Sequence, residues 1–266
     1  MIEGQHPVLS LISEWLAVRG DSPCPPLIGI AGAQGSGKST LAQAAAQALG
    51  GVALSIDDVY LTRRERHDLA RQVHPLFATR GPPGTHDLGL LNHTLNALQQ
   101  AGPHDLTPLP RFDKLVDDRL PQAHWPLYAG RPRVILLEGW LVGATPRNEV
   151  DLSKPANALE ADEDAQRIWR QTQNHHLYTD YSSLWGSLDL LIHLRAPSFD
   201  VVLDWRCEQE AGLMGLSSPA DLPRERRDAL TRFIAHYQGL TQHMLDGGID
   251  ADITVQLDRH RQRLEP

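Results

Sequence analysis

Gly32-Ala33-Gln34-Gly35-Ser36-Gly37-Lys38-Ser39-Thr40, directly after the apolar run Leu27-Ile28-Gly29-Ile30-Ala31, decides how this chain folds. The loop has the spacing G-x-x-x-x-G-K-[ST], and it lies where that spacing has physical meaning, between a buried strand and a helix. Its glycines let backbone N–H groups curl around a phosphate without Cβ clashes. Lys38 then reaches the β- and γ-phosphates and the Ser39 hydroxyl is offered to Mg²⁺. The helix from about Thr40 directs its positive end at the anion. An accidental glycine-rich turn with a lysine would not need strand, loop and helix in this order. The chain is expected to bind a nucleoside triphosphate in a P-loop NTPase fold.

With 266 residues, 41% of them hydrophobic, the chain can bury a full core as one α/β domain. A formal charge of −8 argues against a polyanion-binding surface, so no nucleic-acid partner is expected. Cys24 and Cys207 form no metal or disulfide pattern and fit a reducing compartment. No apolar run reaches membrane-spanning length, and the first twenty residues lack the basic-then-apolar plan of a signal peptide. The expectation is a cytoplasmic protein without a membrane partner, monomeric or homodimeric. Residues 1–20 read as an amphipathic helix with Val8, Leu9, Ile12, Trp15 and Leu16 on one stripe. Of the 25 basic residues only Lys38, Lys114 and Lys154 are lysines. The phosphate loop keeps one of them, where a compact ammonium on a flexible stem fits best.

Periodicity places a helix over Leu41–Leu49, stopped by Gly50-Gly51, and a strand over Val52–Ile56 that ends at Asp57-Asp58. Helices are expected over 63–72, over 88–100 with Asp87 as cap, over 161–178, over 199–214 and over 224–245. Residues 109–119 read as mixed and extended at their start, and 146–155 as a polar connection. Strands are expected over 133–139, 188–194 and 252–257. With the strand before the loop these make five, separated by helices: a doubly wound, mainly parallel five-stranded sheet with helices on both faces. No repeat or linker divides it, so residues 1–266 read as one domain. Residues 27–145 form its nucleotide and acceptor core, and 195–245 its lid and C-terminal helices.

Ligands of such a sheet bind beyond the carboxyl ends of the strands. Asp57 stands there as the candidate base for an acceptor hydroxyl, its other reading being a helix cap; Asp58 fits the cap better. Glu138 ends a central strand and reads either as a metal-side acid acting through water or as a structural carboxylate. The segment from Leu109 through Arg111, Phe112, Asp113 and Lys114 to Arg119 interleaves charge with an aromatic ring. Arg111 or Arg119 suits an anionic acceptor, and local ion pairs in a solvated loop are the other reading. His86 is a candidate substrate-facing group, and Arg206 either closes over the phosphates as a lid residue or pairs with Glu210. No His/Cys spacing suggests zinc.

Five segments occur in order: Gly32 to Thr40; Ser55-Ile56-Asp57-Asp58-Val59-Tyr60-Leu61-Thr62; Arg80-Gly81 through Gly84-Thr85-His86-Asp87-Leu88; Pro110-Arg111-Phe112-Asp113-Lys114; and Leu137-Glu138-Gly139-Trp140. Together they resemble the plant-type D-glycerate 3-kinases and related kinase-like proteins, a group similar in turn to phosphoribulokinase, uridine kinase and bacterial pantothenate kinase. The resemblance implies ATP and Mg²⁺ as cofactors, glycerate as acceptor and 3-phosphoglycerate as product. It also implies Asp57 as the acceptor-facing base, Tyr60 as an aromatic beside the substrate and Arg206 as the lid position. It is densest over residues 25–145 and looser after 195.

Two other readings compete. One changes only the acceptor, to a uridine-, pantothenate- or phosphoribulose-like alcohol; few aromatics beyond Phe112 and Tyr60 are at hand to stack a nucleoside base. The other is a non-catalytic ATP-binding regulatory protein. A GTPase switch is disfavoured because no N-K-x-D segment occurs.

Overall fold

The computed structural model describes residues 7–20 and 24–264. The first half runs α1 (Pro7–Arg19), β1 (Leu27–Gly32), α2 (Lys38–Leu49), β2 (Val52–Ser55), α3 (Arg63–Gln72), α4 (Leu88–Gln100), and the short strands β3 (Leu106–Pro108), β4 (Phe112–Asp113), β5 (Asp118–Arg119) and β6 (Leu127–Ala129). The second runs β7 (Ile135–Gly139), α5 (Glu149–Ser153), α6 (Ala158–Glu163), α7 (Ile168–His176), α8 (Ser182–Trp185), β8 (Leu190–Arg195), α9 (Asp200–Leu213), α10 (Arg224–Leu245) and β9 (Ile253–Gln256). Of the helix expected over 1–20, residues 1–6 lie outside the described residues.

The main sheet has the order β2-β7-β1-β8-β9 and every pairing is parallel. The strand before the phosphate loop is thus the centre of the sheet. Its two neighbours, β7 and β8, arrive much later in the chain, which makes the C-terminal end of β1 the switch point where a crevice opens. Side chains alternate along β1. Ile28 and Ile30 pack with α1, α2 and α9 residues such as Ile12, Leu41 and Val202. Leu27 and Ala31 face the opposite layer, with Leu91 and Leu95 of α4 and Leu240 of α10. Each fully buried Leu or Ile contributes about 1.5–3 kcal/mol, so a strand apolar on both faces is stable only between two helical layers. No helix among the described residues is long and apolar enough to cross a membrane.

The helices expected over 63–72, 88–100 and 224–245 coincide with α3, α4 and α10. Thr62 and Glu65 close a reciprocal capping box at the start of α3, and Asp87 accepts from Leu90 N at the start of α4. Three expectations need correction. The helix expected over 161–178 is broken: α6 ends at Glu163, and the buried Asp164 carboxylate accepts from Trp169 N (2.9 Å) and Arg170 N (3.2 Å), starting α7 afresh. Arg170 pairs with both Asp164 and Glu160 across the break. The connection expected over 146–155 contains α5, capped by Asn148. Residues 109–119 form the hairpin β4–β5, whose turn needs Asp117 at φ 60.

Candidate active site

The phosphate loop joins β1 to α2. Gly37 (φ 90) is the N-cap of α2 and supplies no side-chain cap, so the first-turn N–H groups face the crevice without a capping partner. Gly35 (φ 83) also takes a left-handed conformation, and a Cβ there would lie 2.5 Å from Trp205 Cβ. The loop is held from behind: Arg261 Nε donates to Gly35 O (2.6 Å), and Trp205 Nε1 donates to Arg259 O (2.8 Å). The Ser36 hydroxyl and the Gln34 amide are buried with no protein partner, polar groups waiting for a ligand. Ser39 Oγ donates to Glu138 Oε1 at 2.8 Å, which puts the loop hydroxyl and the acid at the end of β7 side by side.

Next to the loop is a cavity of 60 Å³ lined by Gln34, Lys38, Asp57, Tyr60, Arg80, Lys114, Trp140, Arg206, Phe233 and Tyr237. Asp57 sits in the 3₁₀ turn Ile56–Val59 that follows β2. Its Oδ1 accepts from Tyr60 OH (2.7 Å) and its Oδ2 from Lys114 Nζ (2.7 Å). Burial alone raises the pKa of this carboxyl, but Lys114 and then Lys38 outweigh it and hold Asp57 well below the usual carboxylate range. Arg80 enters from the loop after α3, its guanidinium bound to Asp117 of the hairpin and lying over the Phe112 and Phe233 rings. Tyr237 OH donates to Arg80 O (2.8 Å) and Trp140 Nε1 to Gly81 O (3.2 Å), so the aromatic wall also fixes that loop. Four cations therefore surround one carboxylate, and the cavity is made for anions.

The structure brings Lys38, Asp57, Tyr60, Arg206 and Gln34 of the expected residues together at this cavity. It gives other places to the rest. Arg111 is bound to Asp58, whose other oxygen accepts from Phe112 N (3.2 Å). Asp58 is thus no cap; Ser55 caps the turn instead. Asp113 accepts from Leu115 N and Val116 N and shapes the hairpin turn. Arg119 donates to Asp87 Oδ2 (2.8 Å). These side chains lie outside the lining of the cavity. His86 lies behind Tyr60, ring centroids 4.8 Å apart, with Nδ1 2.6 Å from Tyr181 OH. Burial pushes its pKa down to about 4, so the ring is neutral. Arg206 reaches Gln209 and Glu210 on α9, the pairing that its second reading expects, and it also lines the cavity.

Sequence reasoning missed Arg80, Lys114, Trp140, Phe233 and Tyr237 as cavity residues. One signal was available for Lys114: like Lys38, it is a lysine in a chain that otherwise uses arginine.

No family model matches the chain. Among curated proteins it is 33% identical over 208 residues to the uncharacterized kinase mug58 of Schizosaccharomyces pombe, covering 71% of each. It is 28% identical over 260 residues to the chloroplastic D-glycerate 3-kinase of Arabidopsis thaliana, covering 92% of this chain and 54% of that protein, so the chain spans about half the length of that relative. Among solved structures, a D-glycerate 3-kinase from Cryptococcus neoformans shares the fold with a TM-score of 0.76, at 21% identity and over 98% of this chain and 99% of the other.

Proposed function

We propose that this chain, which belongs to the family of P-loop kinases that includes D-glycerate 3-kinase, transfers the γ-phosphate of ATP to a hydroxyl of a small hydroxy acid, D-glycerate giving 3-phosphoglycerate. One observation carries the reading: the cavity beside Lys38 sets Lys38, Arg80, Lys114 and Arg206 around the single carboxylate of Asp57.

In the reaction the acceptor hydroxyl gives its proton to Asp57 and its oxygen bonds to the γ-phosphorus. The bond from that phosphorus to the β-phosphate oxygen breaks, and ADP leaves with the electron pair. Lys38 and Arg206 stabilise the charge on the transferring group. Asp57 is a weak base here, which suits a loose transition state in which positioning outweighs proton abstraction. The Ser39 hydroxyl beside Glu138 fits a hard divalent cation. Mg²⁺ would be held at the Ser39 hydroxyl, with Glu138 beside it. When bound, it neutralises charge on the β- and γ-phosphates.

The test is an ADP-release screen with D-glycerate, L-glycerate, uridine, pantothenate and ribulose 5-phosphate, in the presence of Mg²⁺. Turnover with D-glycerate above the others is the expected result. Silence on D-glycerate with turnover on another acceptor overturns the acceptor and leaves the kinase.

A further inference from the structure

Lys114 and Asp57 form an ion pair inside the cavity, and each is only partly shielded: the side chains are 58% and 24% exposed. Both oxygens of Asp57 are engaged in this state, one by Tyr60 and one by Lys114. The other cations are held differently. Arg80 is tied to Asp117, Arg206 reaches Gln209 and Glu210, and Lys38 belongs to the phosphate loop. Lys114 is carried on the β4–β5 turn, where Leu115 next to it is 97% exposed. The turn itself is anchored one step further on, by Arg66 and Arg80 on Asp117. The lysine stem is thus free to swing from a fixed base.

We propose that Lys114 is the acceptor-recognising residue and that the acceptor's carboxylate takes it away from Asp57. This rests on the hydroxy-acid reading above. While it is paired with Asp57 the ammonium covers the oxygen that would accept a proton, so a water entering the cavity is not activated and ATP is not wasted. An acid that brings its own carboxylate offers Lys114 a replacement partner. Oδ2 of Asp57 is then open to the acceptor hydroxyl, whose proton it takes as the oxygen bonds to the γ-phosphorus and ADP departs. The exchange trades one ion pair for another, and a neutral alcohol cannot make it. Selectivity for acids and suppression of ATP hydrolysis thus have one origin.

The experiment uses the full chain with ATP and Mg²⁺ and compares D-glycerate, glycerol and no acceptor. Wild type is expected to favour D-glycerate strongly over glycerol. Lys114→Met should raise the KM for D-glycerate about 10- to 100-fold, leave the KM for ATP unchanged, and collapse the glycerate-to-glycerol preference. Hydrolysis without acceptor should rise several-fold, and Lys114→Arg should restore part of the preference. A second measurement needs no variant: lactate, which has the carboxylate but no terminal hydroxyl, should compete with D-glycerate and stimulate release of inorganic phosphate by wild type. Unchanged preference in a folded Lys114→Met, or lactate that leaves hydrolysis at its basal rate, overturns the proposal. A wild type that phosphorylates no hydroxy acid overturns both this and the functional reading; one that phosphorylates D-glycerate while either of those results holds overturns this one alone.

Discussion

The phosphate side of the site is made from consecutive residues, 32–40, whereas the acceptor side draws Asp57, Tyr60, Arg80, Lys114, Trp140, Arg206, Phe233 and Tyr237 from separate parts of the chain. The first works through backbone N–H groups and one helix end, so its geometry is local. The second works through side chains that meet only when the hairpin, the loop after α3 and helices α9 and α10 are docked. A backbone-built site tolerates many surroundings. A side-chain-built site can change its ligand by changing one residue.

The contrast is broken most directly at Lys38. Lys38→Ala is expected to lower kcat by about 10³-fold with every acceptor alike, measured by ADP release, while thermal unfolding stays at the wild-type temperature. Asp57→Asn should lower kcat by about 10²-fold and leave ATP binding, measured by calorimetry, intact. If that variant also loses ATP, the two sides are not separable.

A third effect compares the sides through buried rings, His86 behind the acceptor wall and His193 on β8 beneath the phosphate loop. Burial pushes both down to about 4, against about 6.5 in the unfolded chain. Between those values the unfolded chain binds more protons than the folded one. Stability therefore falls as pH drops through 6.5, by about 1.4 kcal/mol per pH unit for each ring, and the loss ends near the folded value. Urea midpoints across this window should show the slope, and His86→Gln or His193→Gln should each reduce it. A wild-type profile that is flat there would mean that neither ring is held neutral.

The smallest effect is expected from Arg111→Ala. Its pair with Asp58 is partly exposed and contributes about 1 kcal/mol or less. Stability should drop slightly and the KM for D-glycerate should stay put. A KM rise matching that of Lys114→Met would return Arg111 to the acceptor side.

The central strand, the loop and α2 were legible because each depends on neighbours within a few residues. The break at Asp164 was not, because the carboxylate that ends one helix and starts the next is held by Arg170, which also pairs with Glu160 across the break. Arg111 and Arg119 stood out as anion grips because a sequence shows charges without their partners. Asp58 lies 53 positions from Arg111, and Asp87 lies 32 from Arg119. The same separation concealed Lys114, whose partner Asp57 is 57 positions away. Asp57 was found because the end of a parallel strand is a place that topology alone marks out.

The hydrogen bond from Arg261 to the Gly35 carbonyl joins residues 226 positions apart. During synthesis from the N-terminus the phosphate loop leaves the ribosome early, but the residue that braces it does not. At roughly 5–20 residues per second, the interval is roughly ten to fifty seconds. For that time the nascent chain carries the glycine-rich loop without its brace. The nucleotide site is finished only after residues far along the chain have been made.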